Sequence, residues 1–449
     1  MNLQLPEGAR YIAAILTARG VTSYAVGGWV RDICLGRVPH DCDLACALTP
    51  DEISAIFADI ADCTVVPTGA RFGTVTIFVR GDFENGVEVT TFRADGNYLD
   101  GRRPDSVSFS SSIADDLARR DFTVNALALE TTTGEIIDAY GGQHDLTAKV
   151  IRCVGDPTVR FREDALRMLR AVRFAATLEF SINEDTLQAI ADNAPLLANV
   201  SCERVRDELS KMLCNARPAY ALELLQQLGT LSYLLPELLP TIGFEQHNPY
   251  HANDVWRHTL AVLQNVPADL PLRLTALLHD MGKPACYTVG DDGIGHFYRH
   301  EATSARLAES VLLRLRFPAA LRQEVVELVT NHGVNFGGDA AWRRLLNKLG
   351  RPMVEQLITL RQADMLGSGT RMLAECAAEI ADLRAKLIKV CTATPLNTLK
   401  LVITGEDVMK TLDIPAGKRV GQVLAALQEM VLDDPCLNTR EDLLRLLAK

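Results

Sequence analysis

The chain has 449 residues, 48% of them hydrophobic, and a formal net charge of -11. Its length corresponds to about three domains of roughly 150 residues, and its acidity excludes a general polyanion binder, so any nucleic-acid contact must come from locally concentrated basic residues. Eleven scattered cysteines with no Cys-x-x-Cys pair argue against a disulfide framework or a zinc knuckle and for a reduced, cytoplasmic protein with no membrane span or signal-peptide pattern.

Residues 6–20 read as an amphipathic helix leading into a short buried strand, Ser23 to Val26. Gly27-Gly28 predicts a tight turn, and Trp29 to Leu35 a helix stopped by Gly36. Two glycines let backbone N–H groups approach a phosphate at a helix N-terminus, and Arg31 adds a fork of donors matched to phosphate oxygens. Asp41 and Asp43, two apart in an extended segment, project from one face, where hard oxygen ligands suit Mg²⁺ on a nucleotide's phosphates. This ordered combination points to phosphoryl or nucleotidyl chemistry.

Thr49 is a helix cap with Pro50 at the first position. Residues 72–80 and 86–93 alternate like strands. Glu88, in the second of them, is either a third metal carboxylate or an edge-strand glutamate facing water. Residues 93–104 are too rich in Gly, Asp and Arg for a core element and read as a mobile polar loop. Residues 114–126 read as mostly helical, with Arg119 and Arg120 beside Asp121; Ile136 to Tyr140 reads as the last strand of a head that ends near Gly142. The alternative is a sheet continuing past Val150 through Ile151 to Val154.

Gly27-Gly28-x-Val30-Arg31-Asp32, Asp41-x-Asp43 and Arg119-Arg120-Asp121-Phe122-Thr123-x-Asn125-Ala126 resemble the motifs of the class II tRNA nucleotidyltransferase family, whose members are CCA-adding enzymes and bacterial poly(A) polymerases. Residues 160–174 resemble that family's nucleotide-selecting helix. The resemblance implies an α/β head with a small mixed sheet, the nucleotidyltransferase fold, followed by a largely all-α remainder. It further implies addition of CCA to the tRNA 3′ end from CTP and ATP, with Asp41 and Asp43 as catalytic ligands of Mg²⁺. By the same resemblance Gly28, Arg31, Arg120, Asp164, Arg167, Arg170 and Arg173 contact the incoming nucleotide. Poly(A), A-only and CC-only enzymes share most of these motifs. The loop from Asp95 to Pro104 and the acidic chain without a basic extension favour full CCA addition.

The residues carry part of this independently. Ala165, Leu169, Val172 and Ala176 form an apolar stripe, so the segment is a helix packed along one side. Asp164 and Arg167, three apart, are expected as surface neighbours that pair an acceptor with a donor, against either a base edge or simply each other. Arg173 spirals away from them, which suits a triphosphate better than a base. Ser201 starts a helix as a partial cap, since Arg204 stands where a capping box wants Glu or Gln. Gly229 and Pro236 mark a hinge.

A second constellation begins near His247, and seven of the nine histidines lie between His247 and His332. Adjacent His279-Asp280 with separated histidines resembles the HD superfamily of metal-dependent phosphohydrolases. His258, His279, Asp280 and Asp364 are the expected ligands, suited to Mn²⁺, Ni²⁺, Fe²⁺ or Zn²⁺, with His300 and His332 joining if the helices converge. The alternative is a domain that keeps this fold without the activity. Lys418-Arg419 after Gly417 could meet an RNA backbone, or serve only in helix packing. Four segments follow: a head over 1–145, a helical neck over 146–235, an HD-type domain over 236–370 and a helical, tRNA-binding tail over 371–449.

Overall fold

The buried strand expected at the start of the chain organises its first half in a computed structural model, which describes residues 5–39, 41–70, 73–95, 107–249, 252–291, 293–393 and 400–448. Helix α1 (Glu7–Ala18) leads into β1 (Ser23–Val26), a turn at Gly27, and α2 (Gly28–Cys34). Then come β2 (Asp43–Cys46), α3 (Pro50–Ala58), β3 (Cys63–Gly69), β4 (Thr74–Val79) and β5 (Asp82–Thr91). The short pair β6 (Arg93–Asp95) and β7 (Val107–Phe109), helix α4 (Ile113–Ala118), β8 (Ala128–Glu130) and β9 (Ile136–Ile137) follow. The main sheet runs β3-β4-β5-β2-β1-β8-β9. Its β2–β5 pair is parallel and the rest antiparallel, so it is the small mixed sheet expected. Ala25, Leu44, Ala45 and Val89 are fully buried in its centre. Thr49 and Glu52 form a reciprocal capping box on α3, with Pro50 leading the helix.

Several expectations change. Strand β5 lies between β4 and β2, so Glu88 is not on an edge. The helix expected over 114–126 stops at Ala118, and Thr123–Asn125 makes a single 3-10 turn. The side chains between explain this: Asp116 takes Arg119 and Arg120, while Asp121 accepts from its neighbour's amide, Phe122 N. Such local carboxylate bonds compete with helix continuation. The strand expected over 136–140 keeps two residues, and Gly142 opens α5 (Gly142–Ala148). Strand β10 (Val150–Ile151) pairs in parallel with β11 (Ser181–Ile182) as a separate sheet, so the main sheet does not extend to Val154. The loop expected over 93–104 lies mostly outside the described residues.

The first unit continues with α6 (Pro157–Glu163), α7 (Leu166–Leu178), α8 (Glu184–Asn193), α9 (Cys202–Leu213), α10 (Pro218–Gln227) and α11 (Leu231–Leu234). Helix α7 buries the whole predicted stripe of Ala165, Leu169, Val172 and Ala176. Ser201 precedes α9 but makes no side-chain cap bond.

The chain divides into two compact units, Met1–Pro236 and Glu237–Lys449. Among its described residues the second is helical apart from one small hairpin. It holds α12 (Val255–Asn265), α13 (Leu270–Leu278), the hairpin of β12 (Thr288–Val289) and β13 (Gly295–His296), α14 (His300–Arg314), α15 (Ala319–Asn331) and α16 (Asp339–Gly367). Helices α12 and α16 meet closely at Gly367, where a Cβ would lie 2.7 Å from Val262 Cγ2. After α17 (Leu373–Ala393), helices α18 (Gly405–Leu412), α19 (Lys418–Asp433) and α20 (Arg440–Leu447) close around a small core of Val408, Val420, Val431 and Leu443. No described helix is long and apolar enough to cross a membrane.

Candidate active site and candidate metal centre

In the first unit, the turn after β1, the start of β2, the bend after α4 and the face of α7 enclose a cleft of about 540 Å³. Six arginines (Arg31, Arg119, Arg120, Arg167, Arg170 and Arg204) line it against three aspartates (Asp43, Asp121 and Asp164). The excess of cations suits a polyphosphate. Gly27 has φ +70, and a Cβ there would sit 2.7 Å from Arg120 Nη1, so glycine is what lets the guanidinium lie against the turn. Arg120 donates to Asp116, while its Nε is buried with no hydrogen-bond partner among the described residues. Arg31 is held differently: Asp32 takes Nε and Nη2, and Asn125 Oδ1 accepts from Nη1 at 2.8 Å.

Asp43 faces the open cleft at the start of β2, one residue before Leu44, which pairs with Val89. The same offset on β5 brings Glu88 alongside. Protein crowding the Asp43 carboxyl, then the Glu88 charge, push its pKa up to about 6; Arg120 opposes this and Asp41 adds to it. Glu88 and, more weakly, Asp41 act on the Asp43 carboxyl as like charges, and a divalent cation would remove that repulsion. The donor set fits Mg²⁺. Asp41 is exposed and does not itself line the cleft.

The segment expected to select the nucleotide departs from its expected geometry. Asp164 has extended backbone (φ -150, ψ 103) between α6 and α7, so it does not share a helix with Arg167. Its two carboxylate oxygens accept from Arg204 of α9 at 3.0 and 2.6 Å, and Leu166 N caps onto the same group. Arg167 instead donates to Glu163 Oε2 at 2.6 Å and to the Arg119 carbonyl at 2.9 Å. Arg170 pairs with Asp121 at 2.7 Å and lines the cleft. Arg173 turns away to Glu208, 2.6 Å distant, and does not line it. Sequence reading missed Arg204, whose only signal was an arginine where a capping box has Glu or Gln. It also gave Phe174 no role, although Arg31, Arg170 and Arg173 lie 5.2, 5.3 and 4.1 Å from that ring's centroid.

Asp116 and Asp121 tie this arginine lattice together. Burial pushes both carboxyls up, but Arg120 and Arg119 beside Asp116, and Arg170 and Asn125 beside Asp121, outweigh it and hold both below the usual range. A depressed folded-state pKa stabilises the fold above the ordinary carboxylate value of about 3.9, and that stabilisation drains away as pH falls through the depressed values. Asp116→Asn is therefore expected to lower the melting temperature at neutral pH and to flatten its fall below about pH 4. Parallel melting-temperature curves for variant and parent across that range would contradict this account.

In the second unit, five helices bring the other candidate residues to one point. His258 comes from α12, His279 caps α13 with Asp280 next to it, His300 begins α14, His332 caps α15 and Asp364 lies on α16. His258, His279 and Asp364 form one triad of donor atoms within 4.8 Å of one another, and Asp280, His300 and His332 form a second. Asp280 bridges them: its Oδ2 lies 3.2 Å from His279 Nε2, and its Oδ1 lies 3.3 Å from His300 Nε2 and 3.7 Å from His332 Nε2. Gly282 permits this approach, since a Cβ there would lie 2.7 Å from Ser304 N of α14.

Hydrogen bonding decides which imidazole nitrogens face inward. The Nδ1 atoms of His279, His300 and His332 sit 2.9, 2.8 and 2.7 Å from the carbonyls of Ala276, Phe297 and Val329. A carbonyl only accepts, so each Nδ1 carries the proton and each Nε2 presents a lone pair to the centre. His300 and His332 thereby aim Nε2 atoms at each other across 3.1 Å, and buried His279 Nε2 has no hydrogen-bond partner among the described residues. Converging lone pairs and carboxylates fit a metal ion. Burial pushes the Asp280 carboxyl up, yet its cationic neighbours, His279 when it is protonated and the Lys283 ammonium, hold it well below its usual range. Lys283 Nζ lies 2.7 Å from Asp280 and donates to Gln246 Oε1 at 2.9 Å.

Three family models match the chain. A "Poly A polymerase head domain" covers residues 23–152, a "Probable RNA and SrmB-binding site of polymerase A" covers 179–241, and a putative "tRNA nucleotidyltransferase domain 2" covers 306–447. A CCA-adding enzyme of Geobacillus thermodenitrificans is 48% identical over 219 residues, so in that match the chain spans about half of the relative, 52%. A CCA-adding enzyme of Levilactobacillus brevis is 34% identical over 430 residues, covering 95% of this chain and 93% of the relative. Among solved structures, the Bacillus stearothermophilus CCA-adding enzyme in complex with CTP superposes with a TM-score of 0.75 at 30% identity, covering 98% of this chain and 96% of that one. The Thermotoga maritima CCA-adding enzyme complexed with tRNA shares the fold, with a TM-score of 0.58 at 21% identity and 98% and 93% coverage. Similarity at this identity along nearly the whole chain places it in the CCA-adding enzyme family of tRNA nucleotidyltransferases.

Proposed function

We propose that the first unit adds C, C and A to the 3′ end of tRNA without a nucleic-acid template, using CTP and ATP. The observation that carries this is the cleft in which six arginines face Asp43, together with kinship to a CCA-adding enzyme solved with CTP. The tRNA 3′-hydroxyl oxygen forms a bond to the α-phosphorus, the α–β phosphoanhydride breaks, and pyrophosphate leaves. Asp41 and Asp43 would hold Mg²⁺ with Glu88 beside them, and the ion, when bound, stabilises charge on the attacking and leaving oxygens. Gly28 N–H, Arg31 and Arg120 orient the triphosphate.

Asp164 and Arg167 read the base. A carboxylate acceptor meets the exocyclic amino group that cytosine and adenine share, and a guanidinium donor meets the adjacent ring nitrogen. Uracil and guanine reverse both groups, setting acceptor against acceptor and donor against donor. Arg204 donates to both Asp164 oxygens and so fixes the direction of the carboxylate. The eleven free thiols favour a reducing, cytoplasmic setting. The test is tRNA ending at the discriminator base, incubated with each nucleotide separately and then together. We expect CTP alone to add two residues and ATP to add one afterwards; addition of A without CTP would overturn the CCA assignment in favour of an A-adding or poly(A) enzyme.

The six-residue cluster of the second unit favours an additional reading, hydrolysis of phosphate esters. His258, His279, Asp280 and Asp364 would hold a transition metal such as Mn²⁺, Ni²⁺, Fe²⁺ or Zn²⁺, with His300 and His332 on the far side of Asp280. A metal bound there would supply Lewis-acid polarisation of the phosphoryl group. Asp280 ties the two triads together, and Lys283 holds its charge in place.

A further inference from the structure

A hydrogen-bonded chain in the first-unit cleft is closed into a circuit by one aromatic ring. Asn125 accepts from Arg31 Nη1 through Oδ1 at 2.8 Å and donates through Nδ2 to Asp121 Oδ1 at 3.1 Å. The other Asp121 oxygen accepts from Arg170 Nε at 2.7 Å. Arg31 and Arg170 thus stand at the two ends of this chain, and both guanidinium carbons lie over the ring of Phe174, 5.2 and 5.3 Å from its centroid. Phe174, on α7, is 6% exposed and lines the cleft with them. Its ring is itself fixed by a T-shaped contact with the fully buried Phe122, centroids 5.9 Å apart.

Packing alone would be served by leucine. An aromatic ring adds a negative π-face, which matters where two cations are gathered. Hydrogen bonds at its edges fix where a guanidinium sits, and a ring against its face fixes its plane. Asp32 takes hydrogens of Arg31 on Nε and Nη2, and Asn125 takes one on Nη1. The hydrogens left over sit on the terminal nitrogens, so the plane of the group decides whether they reach a phosphate oxygen. Arg173 is nearer the ring, at 4.1 Å, but it is held by Glu208 and does not line the cleft.

We propose that Phe174 is a positioning residue of the transferase cleft, whose ring presets the guanidinium planes of Arg31 and Arg170 for a polyphosphate. This deepens the transferase reading of that cleft and rests on it. Phe174 meets no reacting atom and acts only through the two arginines. Its contribution therefore belongs to the phosphates and not to the base, and is the same for CTP, for ATP and for the pyrophosphate that leaves. It also ties the phosphate-binding turn after β1 to α7, so that the two sides of the cleft hold one geometry before the nucleotide arrives.

The test is calorimetric binding of CTP, ATP and inorganic pyrophosphate to the full chain in Mg²⁺, with no tRNA present so that no transfer occurs. Phe174→Leu is expected to weaken all three by about tenfold, about threefold for each guanidinium released, while KM for tRNA stays at the parental value. In an Arg31→Ala chain the same substitution should cost only the roughly threefold that Arg170 contributes, whereas a loss of core packing would cost the same factor in both backgrounds. Phe174→Met fills the space without a π-face, is expected to match leucine, and replaces it if the leucine chain does not fold. Affinities within about twofold of the parent, a loss for nucleotides that spares pyrophosphate, or an equal factor in the Arg31→Ala chain overturns the proposal and leaves the transferase standing. A parent chain that binds CTP but transfers nothing to tRNA brings down the transferase reading, and this one with it.

Discussion

Replacing Asp43 with alanine is expected to cut nucleotide incorporation by at least about a thousandfold, with a melting temperature equal to or above that of the parent. The two halves of this result have one cause. Asp43 sits beside Glu88 and near Asp41, and its carboxyl is pushed up to about 6 by crowding and by those charges. A raised folded-state pKa means that ionisation is less favourable in the fold than in the unfolded chain. Above pH 6 the ionised Asp43 therefore costs stability, and removing it relieves that cost. The same crowded charge is what a divalent cation would neutralise, so the residue that strains the ligand-free fold is the one on which incorporation is expected to depend. Asp41→Ala should lose activity in parallel with a smaller effect on melting, because that side chain is exposed. Incorporation near the parental rate in both variants would remove Asp41 and Asp43 from the mechanism.

In the second unit, a His279→Ala, Asp280→Ala double variant is expected to lose hydrolysis of phosphate esters in Mn²⁺ or Ni²⁺ and to retain less metal after dialysis, with CCA addition preserved. Interpretation needs a second variant, because Asp280 is also a structural counter-charge. Its loss leaves the Lys283 ammonium, 2.7 Å away and almost fully buried, without its partner. Breaking a buried pair from one side costs about 3–5 kcal/mol, enough to unfold a marginal unit. Asp364→Asn is the cleaner substitution: its side chain is 30% exposed, and removing its charge strands no buried cation. Metal content by mass spectrometry, melting temperature and both activities should be measured together. Hydrolysis missing from the parent under every metal, or unaltered in Asp364→Asn, would reduce the cluster to a structural remnant.

Much of the molecule was legible from short stretches because the relevant physics is local. The strand Ser23–Val26, the Gly27 turn, the Thr49 cap with Pro50 behind it and the apolar stripe leading into and along α7 each depend on residues within a few positions of one another, and each forms as read. The carboxylate pair and the adjacent His279-Asp280 announce their chemistry through donor type alone. That is why the mixed sheet of the head and the helical remainder could be named in advance, and why two candidate sites could be put forward.

What only the tertiary structure decided is which partner each charged group takes. Asp164 and Arg167 were expected to face one another on a helix, but the chain is extended at Asp164, and Arg204, forty residues on, claims both its oxygens. Arg173 was expected at the nucleotide and is held by Glu208 instead. Glu88 became a neighbour of Asp43 because β5 inserted between β4 and β2, a consequence of strand order rather than of its own sequence. His300 and His332 joined the cluster because α14 and α15 pack side by side, bringing their Nε2 atoms within 3.1 Å. A carboxylate or an imidazole has several candidate partners of nearly equal intrinsic strength. The choice among them turns on distances of a few tenths of an ångström, set when separate helices and strands pack, and residue identity along the chain does not encode those distances.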